Sequence, residues 1–188
     1  MSTITNKSDL GGVLGERVAL QKVNGRVIAT NRPKRKLLKT SAAHEAAKAK
    51  FVRASKYANY HANLASTNQP TPYTKGINDK KRSVYAVAMS DRLNPPKVHE
   101  IDAPKYKGAT DSPIHVWATD DFRVASVEVM IIDGNGTELE TGNAQPLPQD
   151  PELFVYKTTF QNLAVDGTII RATATDVANN STTFEKVL

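Results

Sequence analysis

Ala125-Ser126-Val127-Glu128-Val129-Met130-Ile131-Ile132-Asp133 is the stretch whose reading decides the fold. Val127, Val129 and Ile131 alternate with Ser126, Glu128 and Met130, the period of a strand with one face in a core. Ile132 breaks the alternation and implies that the outer face is partly covered at that end. A lone strand is unstable, so this one needs sheet partners and a second apolar layer.

Working outward, similar short runs recur about every ten residues, each ended by Asp, Asn or Gly, which is the spacing of a β-sandwich. They lie at Val98–Asp102, Ile114–Asp120, Ala125–Asp133, Thr137–Thr141, Leu153–Phe160, Thr168–Asp176 and Thr182–Val187. Asp133-Gly134-Asn135-Gly136 supplies a tight turn between the third and fourth. Pro146, Pro148 and Pro151 predict a longer crossing between the fourth and fifth, and Trp117 is read as core filling.

Upstream, Asn24-Gly25 separates Arg17–Val23 from Arg26–Thr30 and predicts a hairpin, because both central residues of the tight turn need positive φ. Asn31–Lys39 holds five positive charges around Pro33 and reads as an extended basic connector. A helix is predicted over Ala42–Ala65, capped by Thr40 or Ser41, with Ala43, Ala47, Phe51, Ala54, Ala58 and Ala62 on one narrow face. Tyr57 and Tyr60 are read as half-buried at the edge of a core. A second helix opens at Lys80-Lys81-Arg82, packs through Val84, Val87 and Ala88, and stops at Asn94-Pro95-Pro96. The expected organisation is therefore α+β in three parts. Residues 1–36 hold a flexible N-terminus, hairpin and connector, 37–94 a helical region, and 95–188 a seven-stranded β-sandwich domain.

Charge divides along the chain. Residues 1–108 carry 21 Lys and Arg against 7 Asp and Glu, whereas residues 109–188 carry 4 against 12. A net of +14 beside a net of −8 implies two regions with different partners. Arg32, Lys34, Arg35, Lys36, Lys39, Lys48, Arg53 and Lys56 are the candidates for contacting phosphates or an acidic protein surface.

The runs Ile114-His115-Val116-Trp117-Ala118-Thr119-Asp120-Asp121-Phe122 and Ala172-Thr173-Ala174-Thr175-Asp176-Val177-Ala178-Asn179-Asn180 resemble the bacterial Ig-like modules, about half the chain. That family commonly ends its penultimate strand in Ala-x-Asp-x-x-Gly-Asn; Asn179 stands where the glycine would be. The resemblance implies the fold and leaves adhesion, spacing, assembly and sugar binding equally open. Gly11–Tyr57 more distantly resembles the opening of small bacterial and phage proteins, with no activity attached.

Site chemistry is sparse. Without cysteine there are no disulfides, thiolate zinc sites or cysteine nucleophiles. His44, His61, His99 and His115 show no metal-ligand spacing, and phosphate-loop, Gly-x-Ser-x-Gly and His-Glu-x-x-His motifs are missing. Asp133–Thr137 begins like a calcium loop but lacks its sharp-turn Gly and bidentate Glu. In a sandwich, however, the loops holding Asp120, Asp121 and Asp176 meet at one end, near Pro95-Pro96, and could hold Ca²⁺. The expectation is a non-enzyme made in the cytoplasm, without signal peptide or membrane insertion. It would dock through its basic region on other subunits, self-assembling or joining a phage-like particle or surface assembly. The rival expectation is a nucleic-acid-associated protein.

Overall fold

The computed structural model describes residues 12–14, 18–23, 26–31 and 41–188. It divides into two compact units, residues 1–41 and 42–188.

The first unit holds a three-stranded antiparallel sheet of β1 (Gly12–Leu14), β2 (Val18–Val23) and β3 (Arg26–Asn31), in the order β1-β2-β3. Val23 pairs with Arg26, so two residues connect β2 to β3, as Asn-Gly requires. The hairpin gains a third strand that the glycines around Val13 did not announce. Arg32, Lys34, Arg35, Lys36, Lys39 and the Thr40 cap lie outside the described residues.

The second unit contains α1 (Ala42–Ser66), a 3₁₀ turn (Pro72–Gly76), α2 (Val84–Leu93) and seven strands. The strands are β4 (Lys97–Asp102), β5 (Pro113–Thr119), β6 (Val124–Ile132), β7 (Glu138–Leu147), β8 (Asp150–Lys157), β9 (Ile169–Asp176) and β10 (Ser181–Val187). They form one antiparallel sheet in the order β10-β9-β6-β7-β8-β5-β4. β7 pairs with β6 through Ala144 and with β8 from Gln145, so the sheet folds over along this strand. Its edges approach each other, and Lys186 on β10 donates to the Ile101 carbonyl on β4 at 3.0 Å. The result is close to a barrel, an α+β protein overall.

Strand alternation places the core. Ile114, Val116, Ala118, Val127, Val129, Ile131, Ile170, Ala172 and Ala174 point inward and are buried with Phe154 and Tyr156. Ile132 is buried as well, because the β6–β7 register shifts between Ile131 and Ile132.

Three expectations change. The prolines make no long crossing: Pro146 lies in β7 and Pro151 in β8, leaving only Pro148 and Gln149 between the strands. Pro146 is tolerated because β7 has left β6 by then and has one partner strand, so its missing N–H breaks no ladder. Trp117 does not fill the core. It shares its parity with His115 and faces outward, half-buried, while smaller neighbours point in. The second helix starts at Val84 rather than Lys80, because Ser83 caps it by accepting the Ala86 amide at 3.2 Å.

The double proline separates two apolar clusters but not two compact units. Ala54, Ala58, Tyr73, Val84, Val87, Ala88 and Met89 form the helical cluster, and Phe122 and Val177 from the strand loops pack into it. Lys81 pairs with Asp121 at 2.8 Å and Arg92 donates to the Ala178 carbonyl, fastening helices to strand ends. Half of the alanine stripe behaves as expected: Ala54 and Ala58 are fully buried, but Ala43, Ala47 and Phe51 are exposed. No described helix is long and apolar enough to cross a membrane.

Candidate functional site

The loops after β5 and β9 meet the side of α2 at the seam between the two clusters. Asp91, from α2, is completely buried, Asp176 closes β9 at 1% exposure, and Asp120 follows β5 half-buried. One carboxylate oxygen from each lies within 4.8 Å of the others, an arrangement that could hold a metal ion.

Each acid has a defined set of donors. Tyr73 donates its hydroxyl to Asp91 Oδ2 at 2.6 Å and shares a 2.6 Å hydrogen bond with Tyr57. Asp120 Oδ2 accepts the amides of Phe122 at 2.8 Å and Arg123 at 3.0 Å. Asp176 accepts from Asn180, its backbone amide on one oxygen and its Nδ2 on the other, both at 2.7 Å. The same Asn180 Nδ2 donates to the Asp91 carbonyl at 2.9 Å, tying β9's loop to α2. Asn179 takes φ 60°, the left-handed conformation a glycine would adopt, which Asn tolerates. Asp91 Oδ1 and Asp120 Oδ1 are buried with no hydrogen-bond partner among the described residues.

Of the three acids named from sequence, the structure joins Asp120 and Asp176 but sends Asp121 elsewhere. Asp121 lies one residue further into the loop after β5 and turns to a different part of α2 and its flanks. There it accepts from Lys81, Ser90 and Asn94. Burial pushes its carboxyl up, but the hydrogen bonds from Lys81 and Ser90 outweigh burial and hold it below the usual range. Asp91 takes its place, and sequence offered one weak signal for it: an acid on the packing side of a short apolar helix. Near the double proline only two of the three expected acids are found. Asp120 and Asp121 line a cavity of about 590 Å³ with Pro95, Pro96, Lys97 and Thr182.

Burial pushes the Asp91 carboxyl up to about 7, opposed by the Tyr73 hydrogen bond and reinforced by the charges of Asp176 and Asp120 and by a hydrogen bond in which the Asp91 proton is held toward Asp120. Asp176 is raised too, by burial against the Asn180 hydrogen bonds. Burial, the Asp91 hydrogen bond and the Tyr57 hydrogen bond raise the Tyr73 phenol far above its ordinary value. The sign of the stability effect follows from linkage. Folded Asp91 keeps a proton that the unfolded chain releases, so this stability is full below the unfolded value and is lost as pH rises through about 7. In EDTA, urea midpoints are expected to fall between pH 5 and pH 8, and Asp91→Asn is expected to flatten that fall. An unchanged slope in the variant would assign it to another group.

The predicted basic contacts separate by position. Lys48, Arg53 and Lys56 are exposed along α1, whereas the connector cations are outside the described residues. Lys50 donates to the Leu93 carbonyl at 2.7 Å and so braces the end of α2. Tyr57 is half-buried in the hydroxyl chain to Asp91, but Tyr60 is 60% exposed.

No family model and no curated protein matches this chain. Among solved structures it is similar to CopC from Methylosinus trichosporium OB3b, at 14% identity and a TM-score of 0.37, covering 49% of this chain and 89% of that one.

Proposed function

We propose that this chain is a non-catalytic assembly protein in which an Ig-like strand module carries a basic helical arm that docks on the acidic strand region of a neighbouring copy. The observation that carries this reading is the start of α1. Every residue from Ser41 to Arg53 is exposed, and Phe51 is 56% exposed. Yet Ala43, Ala47 and Phe51 continue the line of Ala54 and Ala58, which are buried in the helical cluster. Helices in proteins owe most of their stability to a packed face, and in this segment the apolar line of Ala43, Ala47 and Phe51 is exposed among the described residues.

Charge selects the occupant. The arm from Ala42 to Lys56 holds Lys48, Lys50, Arg53 and Lys56 against Glu45 alone, so two arms repel each other. Residues 109–188 carry the opposite sign, and there Phe160 is 50% and Leu163 89% exposed. Glu140 accepts the Phe160 amide at 3.2 Å, which sets an acid beside this apolar surface. Arm on acidic surface is a head-to-tail contact, which builds rings or filaments rather than closed dimers. The Ig-like reading is supported by the strand order and by β7 passing from one set of strands to the other.

Light scattering behind size-exclusion chromatography tests this. Association is expected at low salt, weakening as salt screens the contact, and Phe51→Glu is expected to return the protein to monomer. A monomer at every salt and concentration would end the proposal. Lys48, Arg53 and Lys56, exposed around α1, support a second reading, phosphate contacts with nucleic acid. That reading requires a gel shift at low salt with affinity falling steeply as salt rises.

A further inference from the structure

We infer that Asp91, Asp120 and Asp176 form a binding site for a hard divalent cation of calcium's size, at the seam where α2 meets the ends of β5 and β9. Two oxygens across a calcium ion, each about 2.3–2.6 Å from it, stand about 5 Å apart, and the three ligand oxygens here lie within 4.8 Å of one another. Acidic clusters are ordinary on protein surfaces; unsatisfied buried oxygen is not. Asp91 is fully buried, and once its proton is lost neither its Oδ1 nor Asp120 Oδ1 has a donor among the described residues; the one hydrogen bond open to them is a proton held between the two carboxyls. The other oxygens of the cluster are all accounted for by Tyr73, the loop amides and Asn180.

No lysine or arginine pairs with any of the three acids among the described residues, where the ion pairs are Lys81–Asp121, Lys157–Asp111, Arg171–Glu185 and Lys186–Asp102. Arg92, the guanidinium that α2 carries, is committed to the Ala178 carbonyl and the Tyr57 ring. Buried carboxylates without counter-charge are costly, and a bound cation removes that cost. Asp120 also lines the cavity of about 590 Å³ beside Pro95 and Pro96, so the cluster lies one side chain away from space open to solvent, and waters would complete the six to eight oxygens. Asp91 Oδ1 and Asp120 Oδ1 are open, and each Asp176 oxygen accepts one hydrogen bond and keeps a second lone pair, so the cluster retains coordinating capacity. Because its ligands come from α2 and from two strand ends, the ion would fasten the helical cluster to the strand core.

The whole protein is melted at pH 8 in EDTA, in Ca²⁺ and in Mg²⁺. Free Ca²⁺ about 100-fold above its Kd is expected to raise Tm by about 5–10 °C, and Mg²⁺, which dehydrates reluctantly, by clearly less. Tyr73 touches Asp91, so Tb³⁺ at the site is expected to luminesce on excitation through tyrosine and to be displaced by Ca²⁺, a readout independent of stability. Asp91→Asn keeps an acceptor for Tyr73, removes the charge, and is expected to abolish both signals. Should that variant not fold, Asp120→Asn carries the same expectation. An equal rise with Mg²⁺, or an equal Ca²⁺ rise in the folded variant, would overturn the assignment. So would a wild type silent to both Ca²⁺ and Tb³⁺, which would leave a proton shared by Asp91 and Asp120.

Discussion

Gly108→Ala is expected to destabilise the protein by about 2–5 kcal/mol, although it adds a single methyl group to a loop. Two costs combine. Gly108 has φ 79°, which charges an L-residue roughly 1–2 kcal/mol. The added Cβ would also stand 1.9 Å from the Asn162 carbonyl oxygen and 2.9 Å from Val165 Cγ2. The first of these is backbone, held in place by the Asn162 amide donating to the Gly108 carbonyl at 2.8 Å, so it cannot swing aside as a side-chain end would. Forcing such a contact adds roughly 1–3 kcal/mol. Gly136 is the internal control: its φ is 87°, but a Cβ there meets nothing within 4 Å. Gly136→Ala should therefore cost only the conformational part, roughly 1–2 kcal/mol. Urea melts of both variants separate the two costs. Equal midpoints would show that the close approach of the two loops contributes nothing.

Ile131→Ala is expected to cost about 2–5 kcal/mol. Ile131 is 0% exposed, and β6 lies between β7 and β9, so the space left by the side chain is enclosed by strands paired on both sides. Neither neighbour can collapse into it without disturbing its ladder. The adjacent Met130, half-buried on the other face against Arg171, should cost under about 1 kcal/mol when cut to Ala. Thermal melts of the pair measure the pleat directly. A Met130→Ala loss as large as that of Ile131→Ala would mean that the strand faces the other way.

The same pleat explains what could be read in advance. Which side of a strand a residue takes depends only on its parity, a local property of extended backbone. Val127, Val129 and Ile131 therefore declared the core face, and with the turn residues between runs they located all seven strands of the second unit. Parity also turns Trp117 outward, since Ile114, Val116 and Ala118 share the opposite register, and this outweighs the pull of a large aromatic toward a core. Ser83 as an N-cap is equally local: a serine three residues before the Ala86 amide it accepts starts the helix, and the charged run before it does not.

What the chain's order of residues determined by itself was its antiparallel strand content, its two helices and the opposition of a cationic front to an anionic back. Those follow from backbone period, turn chemistry and counting. Tertiary structure alone decided that Asp121 goes to Lys81 while Asp120 joins Asp176, that Asp91 completes their cluster from a helix, and that α1 is covered over only part of its length. Each of these depends on which distant segments come within a few ångströms of one another, and pairing at that range leaves no mark on the local pattern of side chains.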